Sequence, residues 1–208
     1  MLRFRILIAV VALLGVGYAQ TAQLNVSVYN DAGVEQPMLN KAESVAGTVL
    51  ARAGIDVEWE NCSSRHLSAN ACDHPDRQLS LRITPNTIHS MEASVFGVAF
   101  LSAEGKGRYA DVFYSRALQL HDDNRVGLPE VLGCVMAHEL GHLLLGSNAH
   151  SAIGIMQKQW RSGELKQLQR GALLFTTEQA KRMQETLSAN SELQEIAAEL
   201  SLRGTGRN

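Results

Sequence analysis

Net charge is nearly absent from this sequence: 19 lysines and arginines stand against 21 aspartates and glutamates, a balance of -2 over 208 residues. Without a basic excess, a lysine–arginine run or a basic stretch interleaved with aromatics, a nucleic-acid partner is excluded from expectation. Charged residues are scarce as a class, at 19% against 45% hydrophobic, which excludes a disordered chain and suits one compact domain. Internal repeats and low-complexity linkers are lacking as well, so neither a solenoid nor a string of modules is indicated.

Long hydrophobic runs are equally rare. The stretch MLRFRILIAVVALLGVGYAQ holds one from Ile6 to Val16, shorter than the roughly 20 residues that span a bilayer. Arg3 and Arg5 precede it and the small residues Gly17 and Ala19 follow, so residues 1–19 read as a secretory leader cut near Ala19. An uncleaved anchor is the alternative. The expectation is a secreted or periplasmic protein with no membrane span after cleavage, and the lack of a cysteine near the cut gives no lipoprotein anchor.

Only three cysteines occur. In an oxidising compartment Cys62 and Cys72 are expected to pair, although CSSRHLSANACDH also carries His66 and His74 and could instead build a small structural zinc site. Cys134 sits in an apolar run and is expected to stay a buried free thiol.

What is present is periodicity. Alternating segments predict strands at Leu24–Tyr29, Ile55–Glu60, Leu79–Ile83, Val95–Leu101 and Tyr109–Ser115. Helical spacing of Ala42, Val45, Ala46, Val49 and Leu50 predicts a helix over Asn40–Ala53, stopped by Gly54. A second helix runs from Pro129 to a stop at Gly146, and a last helical region opens where Thr176 and Gln179 can form a capping box, with Leu193, Ile196, Ala197 and Leu200 continuing an apolar stripe. The order is that of an α/β or α+β sandwich.

The chemistry lies in HELGHLLLGSNAH. Residues four apart stack on one helix face, so His138 and His142 can offer two imidazoles to one ion while Glu139 stands beside them as a base. Catalytic zinc takes three protein ligands and keeps one position for water. Gly146 allows the chain to turn back, and His150 follows four residues later as the candidate third ligand.

This pattern resembles the metzincin clan of zinc peptidases, HExxHxxGxxH followed by a Met-turn. The spacing departs from it by one residue on each side of Gly146; strict register would place Leu145 at the turn and Asn148 at the metal. Leu145 is unsuited to the left-handed turn and Asn148 is a poor zinc ligand, so the shifted register ending at His150 is expected. Ser151 after His150 is similar to the matrixin branch, and Met156 stands where the resemblance implies a Met-turn. The resemblance also implies a twisted mixed sheet of about five strands, an active-site helix, a C-terminal helix, and an edge strand at Val98, Ala99, Phe100 and Leu101 that binds the substrate backbone.

The expected organisation is a leader over 1–19, a zinc metallopeptidase domain over 20–190 and a helical extension over 191–208. The implied activity is hydrolysis of a peptide or protein substrate with Zn2+ as cofactor, His138, His142 and His150 as ligands and Glu139 as general base. Resemblance to the gluzincin branch would instead imply a glutamate ligand on a later helix, Glu164 or Glu178, but the aspartate that supports it there is missing, since none follows Asp123. No tyrosine follows Met156 to add a ligand. A non-catalytic zinc- or peptide-binding module and a hydrolase of non-peptide amides are the rival readings, and the sequence leaves oligomeric state open.

Overall fold

A computed structural model describes residues 21–62, 72, 78–86 and 95–205; the expected leader, His66 and His74 lie outside the described residues. In chain order the elements are β1 (Ala22–Asn30), α1 (Gln36–Arg52), β2 (Ile55–Cys62), β3 (Gln78–Thr84), β4 (Gly97–Phe100), β5 (Tyr109–Phe113), α2 (Tyr114–Asn124), α3 (Leu128–Leu145), α4 (Ser162–Gln169) and α5 (Thr177–Thr205). The strands form one mixed sheet in the order β2-β1-β3-β5-β4, with β4 antiparallel to β5 and every other pair parallel. This is the expected α+β architecture of five strands.

The register explains where the core lies. Val28, Leu81, Ala110 and Ala99 form one row across the sheet, and Asn30, Ile83, Val112 and Gly97 form the next on the same face. Apart from Asn30, those side chains and Gly97 are buried, because α1 and α3 cover that face. Among the described residues α3 is the one helix long and apolar enough to cross a membrane, yet every residue from Val131 to Leu144 is buried within the protein, as befits a core helix.

Several elements differ from expectation, each for a local reason. α1 starts at Gln36 rather than Asn40, since Pro37 fits a first turn that needs no amide hydrogen. Residues 114 and 115 belong not to the last strand but to α2, which buries only Ala117 and so shows little apolar periodicity. α4, equally short and half-exposed, was also unexpected; it opens where the Glu164 carboxylate accepts the Arg161 N–H at 3.0 Å.

The capping box forms as anticipated: the Thr176 N–H donates to Gln179 Oε1 at 2.9 Å and the Gln179 N–H to Thr176 Oγ1 at 3.2 Å. From there α5 runs unbroken through position 190. Met183 and Leu187 are buried on the domain, but Leu193, Ile196 and Leu200 are exposed, because at about 100° per residue they lie roughly on the opposite side of the helix.

Cys62 and Cys72 are joined by a disulfide, which consumes the thiols of the alternative zinc site. Cys134 is free and buried, and burial pushes its thiol up to about 12, so it carries no thiolate at neutral pH.

Candidate metal centre

α3 delivers His138, Glu139 and His142 to one place, all buried. The helix ends at Gly146 with φ 62°, a left-handed turn in which the Gly146 and Ser147 N–H groups both donate to the His142 carbonyl. The chain doubles back and brings His150 to the other two: ring centroids are 4.7 Å apart for His138 and His142, 5.4 Å for His138 and His150, and 5.0 Å for His142 and His150. One nitrogen of each ring lies within 4.8 Å of the others. Asn148, the strict-register alternative, sits on the rim of the adjoining cleft.

The protonation pattern tests whether a cation suits this group. His138 Nδ1 faces the Ile155 carbonyl at 2.7 Å and His142 Nδ1 faces the Ser147 carbonyl at 2.7 Å, so both Nδ1 atoms are the donors and both Nε2 atoms carry lone pairs. Those two Nε2 atoms stand only 3.0 Å apart. A shared proton is disfavoured there, because burial and then the neighbouring His142 hold His138 down to about 3. Burial lowers His142 as well, and His150 is lowered by burial and by the Lys158 ammonium. Three converging imidazoles, two of them with Nδ1 turned to a carbonyl oxygen and Nε2 turned to each other, are the donor set of a borderline-soft divalent cation such as Zn2+.

Glu139 is 3% exposed, and burial, reinforced by the Asp111 carboxylate, pushes its carboxyl up to about 8. Its position depends on Gly97. A Cβ on that glycine would lie 2.6 Å from Glu139 Oε1 and 2.5 Å from the Asp111 carbonyl oxygen, so only a bare Cα lets the helix carboxylate reach the sheet edge. Because Asp111 presents backbone rather than a movable side chain, Gly97→Ala is expected to cost about 1–3 kcal/mol. Urea unfolding measures it, and an unchanged midpoint would contradict the contact.

A cleft of about 240 Å³ opens above these residues. Val95–Ala99 line it together with Asn148, His150 and Lys158. The Phe96 carbonyl accepts the Phe113 N–H at 2.8 Å, so by alternation Phe96, Val98 and Phe100 bond to β5 while Gly97 and Ala99 turn their N–H and C=O groups to the open edge. Of the four expected edge residues, Val98 and Ala99 line the cleft; Phe100 does not, and Leu101 falls beyond the strand. The lining is thus centred earlier in the chain than the edge strand that the resemblance implied, where Gly97 admits Glu139.

The sequence matches no family model and no curated protein. The structure, in contrast, aligns with archaemetzincin from Methanopyrus kandleri at TM-score 0.55 and 18% identity, over 80% of this chain and 97% of that one. It aligns with metalloproteinase-II from Bacteroides fragilis at TM-score 0.51 and 16% identity, over 80% of this chain and 53% of that one. A zinc-dependent peptidase from Methanocorpusculum labreanum (strain Z) aligns at TM-score 0.51 and 18% identity, over 76% and 99%. The chain shares its fold with these three solved structures.

Within this fold Met156 is fully buried against the motif helix, where a Cβ on Gly141 would come 2.8 Å from its sulfur. The Ser151 N–H donates to the Met156 carbonyl at 2.9 Å and closes the intervening loop. Glu164 and Glu178, the alternative ligands, lie on α4 and α5, and neither joins the histidine group. Sequence reasoning passed over Trp160, whose Nε1–H donates to the Ile155 carbonyl at 3.1 Å and whose ring lies 6.0 Å from that of His138. It also passed over Phe96, which stacks on Trp160 at 5.6 Å. Trp160 stands alone in a polar stretch that carries no periodic signal, and a strand pattern over Val95–Leu101 does not say what Phe96 meets, so only the fold reveals the pair.

Proposed function

We propose that this protein is an exported zinc-dependent peptidase in which His138, His142 and His150 hold the metal and Glu139 is the general base. The observation that carries the reading is the pair of Nε2 atoms 3.0 Å apart, each on a ring whose Nδ1 faces a carbonyl oxygen, beside a buried carboxyl. The likeness to solved zinc peptidases supports it at the level of fold. A divalent ion bound there supplies Lewis acidity, polarising a carbonyl and acidifying water.

The remaining work falls to the chain. The carbonyls of Ile155 and Ser147 fix the imidazole orientations by accepting from Nδ1. A peptide laid along β4 pairs with the open backbone groups of Gly97 and Ala99, which places one of its amides over Glu139. Glu139 accepts a proton from the attacking water on its carboxylate and passes it to the leaving amine. A carboxyl whose burial raises its proton affinity suits both steps. Met156 supports the helix from below as the Met-turn of a metzincin-like site. The Cys62–Cys72 bond agrees with an oxidising compartment, and so with a functional leader at 1–19.

The purified mature chain is expected to carry one zinc ion, by elemental analysis, and to cleave members of a mixed peptide library. A chelator should abolish cleavage and added zinc restore it. A protein that holds no zinc, or that cleaves peptides equally well without it, would remove this reading.

A further inference from the structure

The Ile155 carbonyl serves two rings. His138 Nδ1 donates to it at 2.7 Å and Trp160 Nε1 donates to it at 3.1 Å, both in buried surroundings. A carbonyl oxygen has two lone pairs, and here both are used. The Ile155 N–H donates in turn to the Leu174 carbonyl at 2.9 Å, which holds the residue from its other side.

Trp160 is placed for this bond by everything around it. Its indole is 6% exposed, meets the His138 ring at an angle of 76° with centroids 6.0 Å apart, and stacks on Phe96 at 5.6 Å and 18°. Phe96 is itself tied to the sheet, because its carbonyl accepts the Phe113 N–H at 2.8 Å. One residue beyond Trp160, the Arg161 N–H donates to the Glu164 carboxylate at 3.0 Å where α4 opens. Ring and backbone are thus both held, and the Nε1–H is left one direction in which to point.

We propose that Trp160 is a positioning residue for the metal centre, its Nε1–H holding the Ile155 carbonyl in the direction that aims His138 Nε2 at the ion. The inference rests on the reading of His138, His142 and His150 as the ligand set. Two effects of opposite sign meet at the shared oxygen. A second donor makes it a weaker acceptor for Nδ1–H, and it also anchors it; without Trp160 the carbonyl's one partner would be the very ring it should orient, and the two could drift together. Anchoring wins, since the Trp160 bond is the longer of the two and takes less from the acceptor than it gives in direction. An immediate partner of a ligand is worth about 10- to 100-fold in metal affinity, so a group acting one bond further out should be worth about three- to tenfold.

The test uses the full mature chain, stripped of metal and titrated with zinc against a chelating indicator, as wild type, Trp160→Phe and Phe96→Leu. Trp160→Phe keeps an aromatic ring beside Phe96 and His138 but has no N–H, whereas Phe96→Leu removes the stacked ring and leaves the N–H in place. Trp160→Phe is expected to bind zinc about three- to tenfold more weakly, and Phe96→Leu to bind it as the wild type does. Cobalt(II) in place of zinc reports ligand geometry in its visible absorption, and its bands should shift in Trp160→Phe alone. Circular dichroism of the metal-free chains confirms that each is folded at the temperature used, so lost stability does not enter the comparison. Should Trp160→Phe not fold, benzothienylalanine at position 160 keeps the bicyclic shape, lacks the N–H and is read in the same way. Wild-type zinc affinity or unshifted cobalt bands in the variant without the N–H overturn the proposal, and so does an equal loss in Phe96→Leu, which would assign the effect to ring packing. Any of these leaves the ligand set and the peptidase reading standing. A wild-type chain that takes up no zinc removes that reading, and this one with it.

Discussion

Glu139→Ala is expected to keep one zinc per chain and to lose peptide hydrolysis by about a hundred- to ten-thousandfold, the range set by removal of a positioned general base. Metal retention follows because the three converging nitrogens belong to His138, His142 and His150, and Glu139 is not among them. The carboxyl lies instead against Gly97 at the sheet edge, where a paired peptide would run. A second variant separates chemistry from folding. Glu139→Gln keeps the volume and a hydrogen-bonding end but cannot take up a proton, so it should match the alanine variant in rate while remaining as stable as the wild type. Burial disfavours a charge at this position, so a neutral amide of the same shape fits the place of the carboxyl. Elemental analysis and initial rates on one peptide decide the matter. Wild-type rates in either variant would remove Glu139 from the mechanism.

The second large effect concerns the third ligand. His150→Ala should release most of the zinc to a mild chelator, whereas Asn148→Ala should hold it. Loss of a mere outer partner of a ligand already weakens metal binding about 10- to 100-fold, and loss of one of three imidazoles exceeds that. Both side chains are exposed, so neither substitution opens a core cavity, and circular dichroism should report an unchanged fold. The geometric basis is that the His150 ring stands 5.0 Å from His142 and 5.4 Å from His138, while Asn148 lies on the cleft rim. Zinc retained by His150→Ala and lost by Asn148→Ala would restore the strict metzincin register.

How much of this was legible beforehand varies with the physics of each element. Strands β1, β2 and β3 could be read because alternation reports a half-buried pleat, and α3 because its apolar run has a proline near its start and a glycine at its end. α2 and α4 could not, since a short helix that buries one or two side chains leaves almost no pattern. The stripe of Leu193, Ile196 and Leu200 was legible as apolar, but not as exposed, because exposure depends on which side of α5 meets the domain.

The candidate site divides along the same line. Residues that share one helix have their relative positions set by local geometry, so His138, Glu139 and His142 were determined by the sequence alone, and Gly146 announced the turn through its backbone freedom. The convergence of the His150 ring on those of His138 and His142, the approach of Gly97 to Glu139, the stacking of Phe96 on Trp160 and the presence of Lys158 in the cleft lining were decided only by tertiary structure. Each joins segments far apart in the chain or across a loop, and such distances follow from how the sheet and α3 pack against each other. Periodicity records which face of an element is buried; it does not record what that face will meet.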